Sequence, residues 1–147
     1  MKLPQDIRPF NETLKDTVVA AATSSWIEHS PMSATKVLFT GSEGGTWAVM
    51  YRWKKGFVAP PHKHLSASHT FIISGKLKVR DAILNEGDYV YEPNGVLHGA
   101  TEALEDTTYL FICNGPLLYF NETGFTGYLG WEEIERMRRT AMTAKSA

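Results

Sequence analysis

Between Thr35 and Cys113 the chain is a succession of short β-rich runs separated by turns that carry glycine or proline. This punctuation leaves little room for helix and constrains the fold more than any other feature of the sequence. "KVLFT" (Lys36–Thr40) is β-rich and "GSEGG" (Gly41–Gly45) is a turn cluster. "TWAVMYRW" (Thr46–Trp53) then alternates, with Trp47, Val49, Tyr51 and Trp53 on one face, which predicts a hairpin. After "KKG" (Lys54–Gly56), "FVAPPHKH" (Phe57–His64) is extended, because proline disfavours helix at its own position and the one before. "HTFIISG" reads as a strand in which His69, Phe71 and Ile73 share a face, expected to point inward. "KLKVR" (Lys76–Arg80), "YVYEP" (Tyr89–Pro93) and "TTYLFIC" (Thr107–Cys113) are further strands, with turns at "NEGD" (Asn85–Asp88) and "PNG" (Pro93–Gly95). The pattern predicts an all-β sandwich or barrel. Only "GWEEIERMRRT" (Gly130–Thr140) reads as helix, with acids in its first turn, arginines in its last, and Trp131, Ile134 and the stem of Arg138 toward the barrel. "TVVAAATSSW", before and including Trp26, reads equally as strand or short helix, and the final "TAKSA" is expected to fray.

The 147 residues suit one domain with a sizeable core, and 43% hydrophobic against 21% charged residues is an ordinary globular balance. A net charge of −1 makes no electrostatic case for nucleic acid or an anionic membrane as partner. One cysteine, Cys113, excludes an internal disulfide framework and points to a reducing cytoplasm; it reads as a small buried hydrophobe. The N-terminal "MKLPQDIRPFNETLKD" lacks the apolar run of a signal peptide.

Chemistry concentrates in "APPHKHLSASHTFIISG" (Ala59–Gly75). On an extended strand residues two apart face the same way, so His62 and His64 present two imidazoles side by side. Imidazole serves zinc, iron, copper and nickel, and a two-toothed grip of this kind needs a third ligand from elsewhere in the chain. Gly56 precedes the pair, His69 and Gly75 follow it, and "GDYVYEPNGVLH" brings Gly87, Pro93, Gly95 and His98.

With these residues in these intervals the sequence resembles the cupins, small β-barrel proteins marked by two motifs. Gly56, His62 and His64 match the first motif, with His69 at the place of its usual glutamate and Gly75 one residue early. Gly87, Pro93, Gly95 and His98 match the second without a gap, and Glu102 replaces its asparagine. The stretches "HKH", "GDYVYEPNGVLH" and "YLFICNGPLLYFNETG" are more narrowly similar to cupin dioxygenases that cleave 2,4'-dihydroxyacetophenone or acetylacetone, and to the cupin domain of ChrR-type anti-sigma factors. The resemblance implies a single cupin (double-stranded β-helix, jelly-roll) barrel over residues 26–147 with a short C-terminal helix, preceded by an N-terminal extension over residues 1–25.

The resemblance further implies that His62, His64 and His98 hold a metal, Fe(II) first, with Zn, Ni or Mn as alternatives. Without a carboxylate among the ligands the ion would keep its full positive charge. Such a site favours an anionic substrate binding through two oxygens, which reacts with O₂ so that the C–C bond between the oxygenated carbons breaks. His69 stands as a fourth ligand, as a proton acceptor beside the metal, or as a core histidine bonded to backbone. Glu92 and Glu102 are each a partner that orients His98 or a solvated carboxylate; parity puts Glu92 on the face opposite Tyr89 and Tyr91. His69 and Glu92 are the candidate catalytic residues. Trp47, Tyr51, Trp53, Phe71, Tyr109 and Phe111 are expected to line the interior. His29 and the cluster "RMRR" (Arg136–Arg139) read as surface. Family likeness implies a homodimer or homotetramer. Two other functions remain in view: a metal-binding sensor module of ChrR type, and a zinc, nickel or manganese isomerase, lyase or hydrolase.

Overall fold

The computed structural model describes residues 15–144. Expectations for the first 14 residues, most of the N-terminal extension, and for the last three lie outside the described residues. Residues 15–26 form neither strand nor helix, only a turn over residues 21–23.

Fourteen strands and one helix follow: β1 (Ile27–Ser30), β2 (Ser33–Thr40), β3 (Trp47–Trp53), β4 (Val58–Ala59), β5 (His62–His64), β6 (Ser68–Ser74), β7 (Lys76–Val79), β8 (Ala82–Asn85), β9 (Tyr89–Glu92), β10 (Leu97–His98), β11 (Thr101–Ala103), β12 (Thr107–Cys113), β13 (Leu117–Asn121), β14 (Gly124–Leu129) and α1 (Trp131–Thr143). They make a six-stranded sheet in the order β1-β2-β3-β12-β6-β9 and two four-stranded sheets, β10-β5-β13-β14 and β4-β11-β7-β8. Every strand pairing among the described residues is antiparallel. This is the jelly-roll architecture expected. β1, β8, β10, β11, β13 and β14 are additional to the strands read from the sequence.

The core forms where the sheets face one another. Trp47, Val49 and Trp53 from β3, Tyr109, Phe111 and Cys113 from β12, Ile72 from β6 and Leu77 and Val79 from β7 are buried there. Trp47 is fully buried, and its indole Nε1–H donates to the Gly115 carbonyl at 2.9 Å, which satisfies its one polar atom. Phe71, expected inside, is 43% exposed on the outer face, because β6 buries Ser68, Thr70 and Ile72 instead.

Gly75 closes β6 for a steric reason. Its φ is +87°, and a Cβ there would collide with the Asp106 carbonyl and lie 2.7 Å from Thr107 Cα. At Gly95 (φ +90°) the chain turns so that its N–H donates to the His64 carbonyl at 2.9 Å, while His64 N–H donates to Val96 at 2.8 Å. This turn lays β10 against β5.

The helix starts where expected, with Glu133 accepting from the Gly130 N–H at 3.0 Å, but it runs on to Thr143. The arginines therefore fall in its middle, and its last turn has no basic residue. Ile134 and Glu135, rather than the Arg138 stem, are the buried side chains of the helix. Arg138 and Arg139 both donate to Glu135, which also accepts from Thr40 Oγ at 3.0 Å and so ties the helix to β2. The Arg138 hydrogen bond is the main cause, against opposing burial, that holds the Glu135 carboxyl down to about 2, with Arg139 and Thr40 assisting. A carboxyl pKa lowered by folding contributes stability that is complete above its unfolded value and fades as pH falls toward the folded one. Thermal unfolding is therefore expected to show an acid limb below about pH 4.5 that Glu135→Gln flattens, with a loss of about 3 °C at pH 7. An unaltered acid limb in the variant would refute the clasp.

Candidate metal centre

Two short strands and one turn build the centre. In β5 the pleat turns His62 and His64 inward and Lys63 outward. β10 pairs with β5 so that His98 lies directly across from His62, and β13 pairs on the other side so that Tyr119 lies across from His62 and Leu117 across from His64. The ring centroids are 5.2 Å (His62–His64), 4.9 Å (His62–His98) and 4.9 Å (His64–His98) apart. One ligand nitrogen from each lies within 4.8 Å of the others, and all three residues are buried.

Hydrogen bonds set the tautomers. His62 Nδ1 lies 2.9 Å from the Pro60 carbonyl, which only accepts, so Nδ1 carries the proton and Nε2 keeps a free lone pair. Ser68 Oγ donates to Glu92 Oε2 at 2.9 Å, and its oxygen lies 2.9 Å from His64 Nδ1. With the hydroxyl proton committed to Glu92, His64 Nδ1–H is the donor to Ser68, and His64 Nε2 is also free. Burial is the first cause that lowers both imidazoles, His64 to about 4, so both are neutral at pH 7 and ready to bind a cation.

Glu92 sits across the β6–β9 ladder from Ser68. Its Oε1 lies 2.8 Å from His98 Nε2, but off the line of a ring N–H bond. Both ring nitrogens of His98 are fully buried and without a hydrogen-bond partner, alone in this among buried side-chain atoms of the described residues. Orphaned buried polar atoms cost about 1–3 kcal/mol each. A divalent cation held by His62, His64 and His98 would engage one of these two nitrogens and relieve its share of that cost, so the donor set fits a metal. Burial would raise the Glu92 carboxyl, but the contacts with His98, His64 and Ser68 outweigh it and keep the group below the ordinary carboxylate range.

Two expectations are corrected here. His69 does not point inward. It lies on the outer face of β6, across from Tyr91, and its Nδ1 shares a 2.6 Å hydrogen bond with the Tyr89 hydroxyl. It is outside the three-histidine cluster. Nor is the centre without a carboxylate: Glu92 is 4% exposed and reaches the cluster from β9, as parity against Tyr89 and Tyr91 allowed. Glu102 stays on the outer side of β11, across from Val58 and Lys78. Ser68 escaped the sequence reading, although one signal for it was present. Counting three residues after His64 instead of four puts Ser68 at the motif's carboxylate position and brings Gly75 into register.

Residues 14–118 match the family model of the ChrR cupin-like domain. The chain belongs to the ChrR cupin-like family. Solved cupin structures agree on the fold. The acetylacetone dioxygenase of Acinetobacter johnsonii superposes with a TM-score of 0.75 at 20% identity, covering 90% of this chain and 96% of that one. An RmlC-like cupin from Ralstonia eutropha gives 0.80 at 18% identity, covering 92% and 91%. ChrR in complex with SigE, from Rhodobacter sphaeroides, gives 0.55 at 19% identity, covering 64% of this cupin and 51% of that chain. No curated protein matches. Among the described residues of this cupin no helix is long and apolar enough to cross a membrane.

Proposed function

We propose that this cupin is a non-haem Fe(II)-dependent dioxygenase that cleaves a C–C bond of a small hydroxyketone or β-diketone. The observation that carries the reading is the buried convergence of His62, His64 and His98, two of them already in the tautomer that frees Nε2. Coverage of nearly the whole acetylacetone dioxygenase chain, against about half of the ChrR chain, supports an enzyme over a sensor module. Bound ferrous ion would supply Lewis acidity and redox chemistry with O₂. The chain's own residues prepare the place. Pro60 and Ser68 fix the rings of His62 and His64, Glu92 positions His98 and offsets part of the cation's charge, and Trp53, Phe111 and Leu117 give the cavity apolar walls. The overall change puts both atoms of O₂ into the two fragments left when the C–C bond breaks.

The family match favours one second reading, a regulatory cupin that holds zinc without turnover. Reconstitution with Fe(II), Zn(II), Ni(II) or Mn(II), followed by oxygen-electrode assays with acetylacetone and 2,4'-dihydroxyacetophenone, separates the two. Substrate-dependent O₂ uptake that requires Fe(II) is the expected result. Tight zinc binding with no O₂ uptake under any metal would transfer the reading to the sensor.

We also propose that the chain pairs with a second copy through the outer face of β12, β6 and β9. Phe71, Ile73, Tyr89 and Tyr91 are 43, 40, 57 and 55% exposed there, beside half-buried Leu110 and Ile112. An antiparallel face that meets water is normally polar. Apart from His69 this patch holds no ionisable cation or carboxylate, so a copy related by a two-fold axis meets no like charge. Light scattering should give a dimer for the wild type and a monomer for Phe71→Glu; a monomeric wild type would remove the proposal.

A further inference from the structure

Away from the histidines the described residues form a second and larger hollow. It is an open groove of about 660 Å³, against about 60 Å³ for the cavity at the metal centre, and the two share no lining residue. Small-molecule sites span about 300–1,000 Å³. The groove is made where α1 packs on β1 and β2, beside the segment of residues 17–25.

Its lining is apolar for the most part. Val18, Val19, Phe39 and Met142 are all exposed and all converge on it, with half-buried Ile27 and Ala141 between them. Exposed apolar side chains scattered singly need no explanation, but a cluster around a concave surface marks a place where something binds.

The charge at the groove has one sign. Arg138 is the one charged residue in the lining, and no carboxylate lines it. Arg138 and Arg139 both donate to Glu135, so two guanidiniums share one negative charge and a positive charge is left over. Glu135 takes up Nε and Nη2 of Arg138. The remaining nitrogen, Nη1, has the Met142 sulfur at 3.9 Å, a weak acceptor, and so keeps donor capacity for an anion. An apolar trough with a spare guanidinium edge at one side complements a molecule that carries hydrocarbon and a single negative group.

We propose that this groove binds an aliphatic monocarboxylate of medium chain length, its hydrocarbon against Val19, Phe39, Ala141 and Met142 and its carboxylate on Arg138. The site is independent of the metal centre and of O₂ chemistry.

Calorimetric titration of the full chain with hexanoate, octanoate and decanoate tests it, with octanol and octyltrimethylammonium as charge controls. Each added methylene is expected to tighten binding about two- to fourfold. Octanoate should bind about tenfold more tightly than either control. Arg138→Gln should weaken octanoate about tenfold and leave octanol unchanged, whereas a substitution that merely loosened the helix would weaken both. Ala141→Trp fills the groove without touching the Arg138–Glu135 pair. It should abolish binding while the melting temperature and metal stoichiometry stay at those of wild type. Affinity that ignores chain length, equal affinity for octanoate and octanol, an Arg138→Gln variant that loses both, or octanoate still bound by Ala141→Trp would overturn the proposal. So would a full chain that binds none of the three acids. In that event octanoate uptake gained by Phe10→Asp would assign the groove to the chain's own N-terminal segment, and a dimer dispersed by Ala141→Trp would assign it to a second copy.

Discussion

His62→Ala, His64→Ala and His98→Ala are each expected to abolish stoichiometric divalent-metal binding, and His69→Ala to leave it intact. The three rings supply all the nitrogen donors at the centre, and one nitrogen of each falls within 4.8 Å of the others. Deleting one leaves two imidazoles, a grip too weak to compete with water and buffer, so affinity is expected to fall at least about 100-fold. His69 is the control, because its ring engages Tyr89 on the outside of the sheet. Metal content after purification without chelators, and titration of the stripped protein, give the first readout. Thermal stability gives a second. A ligand that binds only the folded state at about 100 times its Kd adds about 2.7 kcal/mol, or about 8 °C for a chain of this size. Wild type and His69→Ala should show that rise with metal, and the other three variants should not. Metal retained by His98→Ala, or lost by His69→Ala, would contradict the centre as described.

Glu92→Gln has two effects of opposite sign. The carboxylate lies against His98 and accepts from Ser68, which in turn sets the His64 tautomer. Gln retains an acceptor for Ser68 but carries no charge. Metal affinity is therefore expected to fall about 10- to 100-fold, the usual range for a group that supports a ligand from behind. Once loaded, the variant keeps the cation's full charge, so acetylacetone should bind more tightly than to wild type. Because Glu92 is 4% exposed, added salt should change neither result much. A uniform loss of both affinities would instead mean that the substitution had only disturbed packing. Unchanged metal affinity would mean that the carboxylate merely fills space.

The misreadings of the sequence have a shared origin. Alternation places His69, Phe71 and Ile73 together on one face and Ser68, Thr70 and Ile72 on the other, and both sets include apolar residues. Period two cannot say which face is inside; the neighbours decide. Here β12 buries Tyr109 and Phe111, and the adjoining face of β6 is buried with them. The outer face stays apolar as well, which is why composition did not expose the error. The carboxylate shows the same limitation. A motif searched along one strand found no acid near His64, although Glu92 stands across the ladder 24 residues away.

By itself, the sequence determined the all-β class, the two turns that bear Gly75 and Gly95, the C-terminal helix, and the shared strand parity of His62 and His64, to which the cupin resemblance added His98. These follow from φ restriction, turn chemistry and period-two geometry, all of which act within a few residues. Only the tertiary structure decided which face of β6 is buried, that Glu92 returns a negative charge to the centre, and that Tyr51, Tyr109 and Tyr119 line the same cavity as the histidines. Each of these depends on which strand lies beside which, a relation between residues far apart in the chain that no local pattern encodes.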